Sequence, residues 1–214
     1  MALSKVNFNS INATPTASKF VTFNSDADGL AAGDVGGALT LISTQTASGS
    51  ANLSFTSGID STYSEYLFKF INIHAATDAA EFTFNMSVDS GSNYNVVKTT
   101  TSFYAYHKED DGGAGLTYDG NLDLAQGTGF QILMENLGNG NDENGSGELQ
   151  IFSPSSDTFV KHFISRGMRN GSADYAVDYN IAGYGNTTSA VDAIQFKMSS
   201  GNIDSGTILM YGVK

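Results

Sequence analysis

The stretch from Tyr63 to Tyr94, YSEYLFKFINIHAATDAAEFTFNMSVDSGSNY, constrains the fold of this chain more than any other. An aromatic-rich extended segment, a short turn, a second alternating segment and a Ser-Gly turn follow one another without a break. In an extended chain Tyr66, Phe68 and Phe70 fall on one face and Leu67, Ile71 and Ile73 on the other, which predicts a central strand of a sandwich with apolar groups on both sides. Phe82 and Phe84 then alternate with Glu81, Thr83 and Asn85, the pattern of a strand with one face in a core. In the turn Asp89-Ser90-Gly91-Ser92, Gly91 is free to take a positive φ and Asp89 to bond its own backbone.

The rest of the sequence supports an all-β chain. It has 214 residues, enough for one substantial core and one domain. Helical periodicity never persists beyond a turn or two, with a single turn allowed near Asp119 to Ala125. With 14 Phe and 10 Tyr but no Trp, large apolar surface is available to a β core; with only 2 Pro, the turns must use Gly, Asn, Asp and Ser. The absence of Cys excludes disulfides and thiolate-bound zinc. A net charge of −12 with 10 basic residues argues against nucleic acid as a partner, because such binding draws on Lys and Arg displacing counterions. No apolar run is long enough to cross a bilayer, and MALSKVNFNS lacks the features of a signal peptide, so no membrane insertion and synthesis as a soluble cytoplasmic chain are expected.

Residues 1 to about 34 differ in texture. Leu3, Val6, Phe8, Ile11, Phe20, Val21 and Phe23 are scattered among small polar residues before Gly-rich breaks. They read as a docking arm, or alternatively as an extra edge strand of the sandwich through Lys19 to Phe23. Residues 35–214 hold roughly a dozen strand candidates at short spacing, the signature of a sandwich or barrel. Ala47-Ser48-Gly49-Ser50 reads as a hairpin connection between Leu39/Leu41 and Asn52 to Thr56. Two acidic, Gly-rich stretches, 108–115 and 138–147, are expected to project as loops.

No motif in the chain carries catalysis, so the expectation is a non-enzyme without cofactor or metal. The acidic loops lack the ligand ladder of an EF-hand and read as solvated. Glu109, Asp110 and Asp111 are sequence neighbours, whereas glycosidase carboxylates stand on opposite sides of a sugar. His74, His107 and His162 show no metal-ligand spacing. Gly127-Thr128-Gly129 precedes a strand, where it cannot cradle phosphate as a helix N-terminus does. Tyr104, Tyr106 and Tyr118, beside the acidic loops, are candidate glycan contacts: their rings can stack on sugar faces while nearby Asp and Asn bond hydroxyls, although rim or core packing is the favoured reading for most of these tyrosines.

Three segments resemble a family. The aromatic strand Tyr63 to Ile73 with its turn His74-Ala75-Ala76-Thr77-Asp78, the strand Phe82 to Val88 ending in Asp89-Ser90-Gly91-Ser92-Asn93-Tyr94, and the closing segment Gly201 to Lys214 are together similar to tailed-phage virion structural proteins of tail-fibre or decoration type. Relatives often carry a Pro in the first turn and Asp-Gly-Gly in the second, and this chain departs from both. The resemblance implies an all-β fold, a single jelly-roll-like β-sandwich with an extended N-terminal arm. It implies a homo-oligomer, with a trimer as the expected stoichiometry, located in the virion and bound to a tail adaptor or to a major capsid protein. A tail fibre or tail-associated appendage contacting a host surface glycan is the first role implied, and a capsid decoration or cement protein the second. A free, non-catalytic carbohydrate-binding module is the reading from a different class, with a small polysaccharide-degrading enzyme third.

Overall fold

A computed structural model of the protein describes residues 20–23, 30–33, 37–171 and 174–214. The chain divides into two units, Met1–Ala38 and Leu39–Lys214. In the first, β1 (Phe20–Phe23) and β2 (Leu30–Gly33) form an antiparallel pair, with Phe20 opposite Gly33. Of the segment read as a possible edge strand, Lys19 lies outside the described residues and β1 pairs with β2 in a two-stranded sheet. Of the arm residues named above, Leu3, Val6, Phe8 and Ile11 lie outside the described residues, while Phe20 and Phe23 begin and end β1.

The second unit is a β-sandwich, with no helix among the described residues. Its strands are β3 (Leu39–Ser50), β4 (Leu53–Phe55), β5 (Glu65–Ala75), β6 (Ala80–Ser87), β7 (Lys98–Lys108), β8 (Ala114–Tyr118), β9 (Gln131–Leu137), β10 (Gly145–Phe152), β11 (Lys161–Arg169), β12 (Tyr175–Gly185), β13 (Ala193–Met198) and β14 (Ile203–Val213). One sheet has eight strands in the order β3-β14-β5-β10-β11-β12-β7-β8; the other has four, β4-β13-β6-β9. Every pairing is antiparallel. From β3 to β7 the chain changes sheet at each connection, and it does so again from β8 to β9, β9 to β10, β12 to β13 and β13 to β14.

The reason for a sandwich lies in the aromatic alternation. Tyr66, Phe68 and Phe70 of β5 are buried, and Phe68 and Phe70 meet Phe55, Phe82 and Phe196 from the opposite sheet. Phe196 is the hub, with ring centroids 5.3 Å from Phe70, 5.5 Å from Phe68 and 5.8 Å from Phe82. The last strand alternates as its sequence requires: Ile208 and Met210 are fully buried, and Leu209 and Tyr211 face outward. The Asp89 turn also forms as expected, with Gly91 at φ +82° and the Asp89 carboxylate accepting from the Asn93 backbone N–H at 2.8 Å.

Several expectations are corrected. β3 runs straight through Ala47 to Ser50, and β3 and β4 belong to different sheets, so this connection is a crossover and not a hairpin. Ile73 faces the core with Phe68 rather than sharing the Leu67 face. Asn72, at φ +52°, forms a bulge that breaks the alternation, leaving Ile71 and Asn72 both exposed and Ile73 fully buried. The acidic stretch 108–115 is largely a tight hairpin, because Ala114 and Gly115 pair with β7 as part of β8, a strand absent from the sequence reading. The second stretch is shortened as well, since β10 begins at Gly145.

At one end of the sandwich the core is polar. Lys98, Asn85, Thr100 and Gln131 are buried where β9 starts at Gln131 and leaves the edge of β6 beyond Phe84 unpaired. The Lys98 ammonium donates to Asn85 Oδ1 at 2.5 Å and to the Val96 carbonyl at 2.8 Å. The Gln131 amide accepts from Thr100 and donates to the Leu122 carbonyl, so each polar atom of this seam has a partner.

Candidate functional site

Two surfaces stand out: one is the side of the eight-stranded sheet away from the four-stranded sheet, and the other arises because the eight-stranded sheet is the wider of the two. The first is the outer face of the large sheet. Leu67 and Ile71 of β5 point away from the core, Leu67 partly exposed and Ile71 exposed. Antiparallel register places Leu41, Tyr211, Leu67, Gln150, Ile164 and Ala182 in one row across six strands. A neighbouring row carries Lys69, Glu148, Arg166 and Asn180 to Phe103 and Tyr118. Ile71 (47% exposed), Ile164 (47%), Met168 (55%), Phe103 (46%) and Leu116 (72%) make this face more apolar than the usual solvent side of an antiparallel sheet.

Its charges are internally matched. Arg166 forks onto Asp178 through Nε at 2.9 Å and Nη2 at 2.8 Å, and Lys69 lies 3.8 Å from Glu148. Glu65, near one end, is bonded by the Gln150 amide. The face thus carries close to zero net charge on a chain of −12, whose surplus carboxylates sit mainly in loops at the strand ends.

The second surface is a cleft of about 290 Å³ on the inner side of the same sheet, where β7 and β12 extend past the edge strand β9. Tyr104 and Tyr106 line it, as the sequence suggested, joined by Tyr175, Tyr179, Arg169, Glu135 and Thr117. Tyr118 is not part of it. Tyr118 pairs with Phe103 while Thr117 pairs with Tyr104, so strand alternation turns the Tyr118 ring onto the opposite, outer face, where its hydroxyl donates to Asp123. The three tyrosines named from sequence therefore cannot form one platform.

Tyr179 is the floor of the cleft. It is 1% exposed, accepts from Arg169 Nε at 3.3 Å and donates to the Glu135 carbonyl at 3.4 Å. Burial pushes its phenol up to about 12, with Glu135 and Tyr104 adding to the effect and Arg169 opposing it. Burial also raises Tyr104 and the Glu135 carboxyl, the latter helped by the charge of Asp119 and opposed by Arg169. The rings meet edge-on or tilted: Tyr106 and Tyr175 at 5.8 Å and 72°, Tyr104 and Tyr179 at 5.5 Å and 47°. Tyr175 and Tyr179 were missed in the sequence because only the β7–β12 register, which sets Tyr179 opposite Tyr104, brings them together. The available signal was the matching two- and four-residue tyrosine spacing in Tyr104/Tyr106 and Tyr175/Tyr179.

The other residues weighed for chemistry have structural partners. His74 bridges Asp204 (3.2 Å) and the Gly140 carbonyl (3.0 Å), tying β5 to a loop and to β14. His107 meets Asp111 at 3.2 Å and Lys108 meets Asp110 at 2.9 Å, which uses the hairpin carboxylates locally. No group of three or more His, Asp or Glu side chains is arranged to hold a metal among the described residues. No family model matches this chain, and no curated protein and no solved structure matches it either.

Proposed function

We propose that this chain is a non-catalytic structural protein of a bacteriophage virion, assembled as a homo-oligomer through the outer face of its eight-stranded sheet. The observation that carries the proposal is that face: apolar rows around matched ion pairs, near neutrality on a strongly acidic chain. Copies of a −12 protein repel one another over most of their surface, and a second copy of this face is the partner that meets it without net repulsion. Eight strands at about 4.8 Å spacing and about nine residues each span on the order of 1,000 Å². A standard interface needs roughly 800 Å² per partner. The strand order also supports the reading. β3-β14-β5-β10 facing β4-β13-β6-β9 follows the winding of a jelly roll, an architecture of viral shells and of lectins, with β11, β12, β7 and β8 widening one sheet.

In this reading residues 1 to about 34 anchor the oligomer to a tail adaptor, making it a tail fibre or appendage that contacts the host surface. Docking on the major capsid protein is the alternative, and would make it a decoration protein. Three copies is the number the resemblance implies, whereas a face that meets its own copy closes as a two-fold pair, so the measured mass decides between the two. Light scattering over a concentration series is expected to give an oligomer mass for the wild type and a monomer for Ile164→Lys; a monomeric wild type overturns the assembly claim. A reconstruction of the phage particle at side-chain detail then tests station. Density on the tail supports adsorption, density on the head supports decoration, and its absence from the particle overturns the virion reading.

A further inference from the structure

The tyrosine cleft carries an inference that deepens the host-contact part of the reading above, and its chemistry narrows the ligand class. Arg169 in its lining disfavours a cation, although four tyrosine rings and a carboxylate would otherwise suit a quaternary ammonium group. Glu135 in the lining, with Asp119 close enough to raise it, disfavours an anion. A ring of hydroxyls avoids both conflicts. Each hydroxyl both donates and accepts, so one ligand can give hydrogen bonds to Glu135 and take them from tyrosine hydroxyls, while its C–H face lies on an aromatic ring. Tyr104, Tyr106 and Tyr175 are each only partly buried, so part of each ring is left for a ligand to touch. The volume, about 290 Å³, is at the small end of ligand sites, which suits one or two sugar rings and not a long chain.

We propose that the cleft between β7, β12 and the edge of β9 binds an uncharged saccharide, with Tyr104 and Tyr106 as the stacking walls, Glu135 as hydroxyl acceptor and Thr117 at the rim. Arg169 acts through Tyr179, whose hydroxyl it holds at the floor, and is a positioning residue.

The test is a titration of the full chain with methyl α-glucoside, methyl β-galactoside and N-acetylglucosamine, followed by tyrosine fluorescence, which no Trp obscures. Glucuronate and choline serve as the charged probes. At least one neutral sugar is expected to give a saturable change. Tyr106→Ala weakens it roughly tenfold, the loss expected for one stacking partner. Thr117→Phe, at an exposed position, closes the mouth and abolishes binding without removing a packed group. Tyr118→Ala, on the far side of the sheet, leaves binding unchanged. Circular dichroism of each variant identifies any that fail to fold, and Thr117→Phe keeps the test decisive if Tyr106→Ala is among them. No saturation with any neutral sugar overturns the proposal, as does preference for glucuronate or choline, or equal loss in Tyr118→Ala. Where the chain sits on a particle does not enter this measurement, so the virion reading and the cleft fail separately.

Discussion

Lys98 makes the stability of this protein depend on pH in a direction opposite to that of the usual paired lysine. It is fully buried at the start of β7, and its ammonium meets two neutral oxygens, Asn85 Oδ1 and the Val96 carbonyl, with no carboxylate in contact among the described residues. Burial pushes it from 10.5 down to about 7. The folded state therefore releases this proton more readily than the unfolded state. Between about pH 7 and 10.5 the unfolded chain binds more protons, so stability rises with pH through that window and the penalty is largest below pH 7. The full gap corresponds to about 5 kcal/mol. Raising the pH from 7 to 9 recovers roughly 2–3 kcal/mol of it. The assay is urea unfolding at pH 7, 8 and 9 for the wild type and for Lys98→Met, comparing the free energies of unfolding in water. Every other titrating group, including the partly depressed Lys161, is common to both proteins, so the difference in slope isolates Lys98. A variant with the same pH slope as the wild type refutes the argument, since it means the two oxygens and local water hold the charge as well as bulk solvent does.

Two further predictions test the packing. Phe196→Ala removes the ring that touches Phe68, Phe70 and Phe82, and is expected to destabilise the chain by about 3–5 kcal/mol in chemical unfolding, with Phe196→Leu costing clearly less. Gly147→Ala places a Cβ 2.3 Å from the Arg166 carbonyl oxygen and 2.7 Å from Gly167 Cα, both backbone atoms that cannot swing aside. It is expected to cost at least the roughly 1–3 kcal/mol of an overpacked core and to lower the melting temperature, whereas a neutral effect would show that β10 and β11 are less closely apposed than described.

Local alternation in the sequence was sufficient for the class of fold and for the principal strands, because side-chain period two and the turn residues between runs are properties of neighbouring residues. Tyr66, Phe68 and Phe70 point inward as their spacing requires, Ile208 and Met210 follow the same rule at the C-terminal strand, and Gly91 takes the positive φ its turn demands. Where one residue broke the period, the reading failed downstream of it: the bulge at Asn72 reversed the side on which Ile73 lies.

Only the tertiary structure decided which strands meet, and with them both candidate sites. Tyr104 and Tyr179 are 75 positions apart and face each other only through the β7–β12 register, while Tyr118, a near neighbour in sequence, lies across the sheet from Tyr104. Apolar residues on both faces of β5 were legible as a central strand, yet the sequence could not say which of those faces the four-stranded sheet covers. That depends on which side of the eight-stranded sheet the four-stranded sheet packs against. Burial and pairing across long separations are collective outcomes of packing, and no window of neighbouring residues contains them.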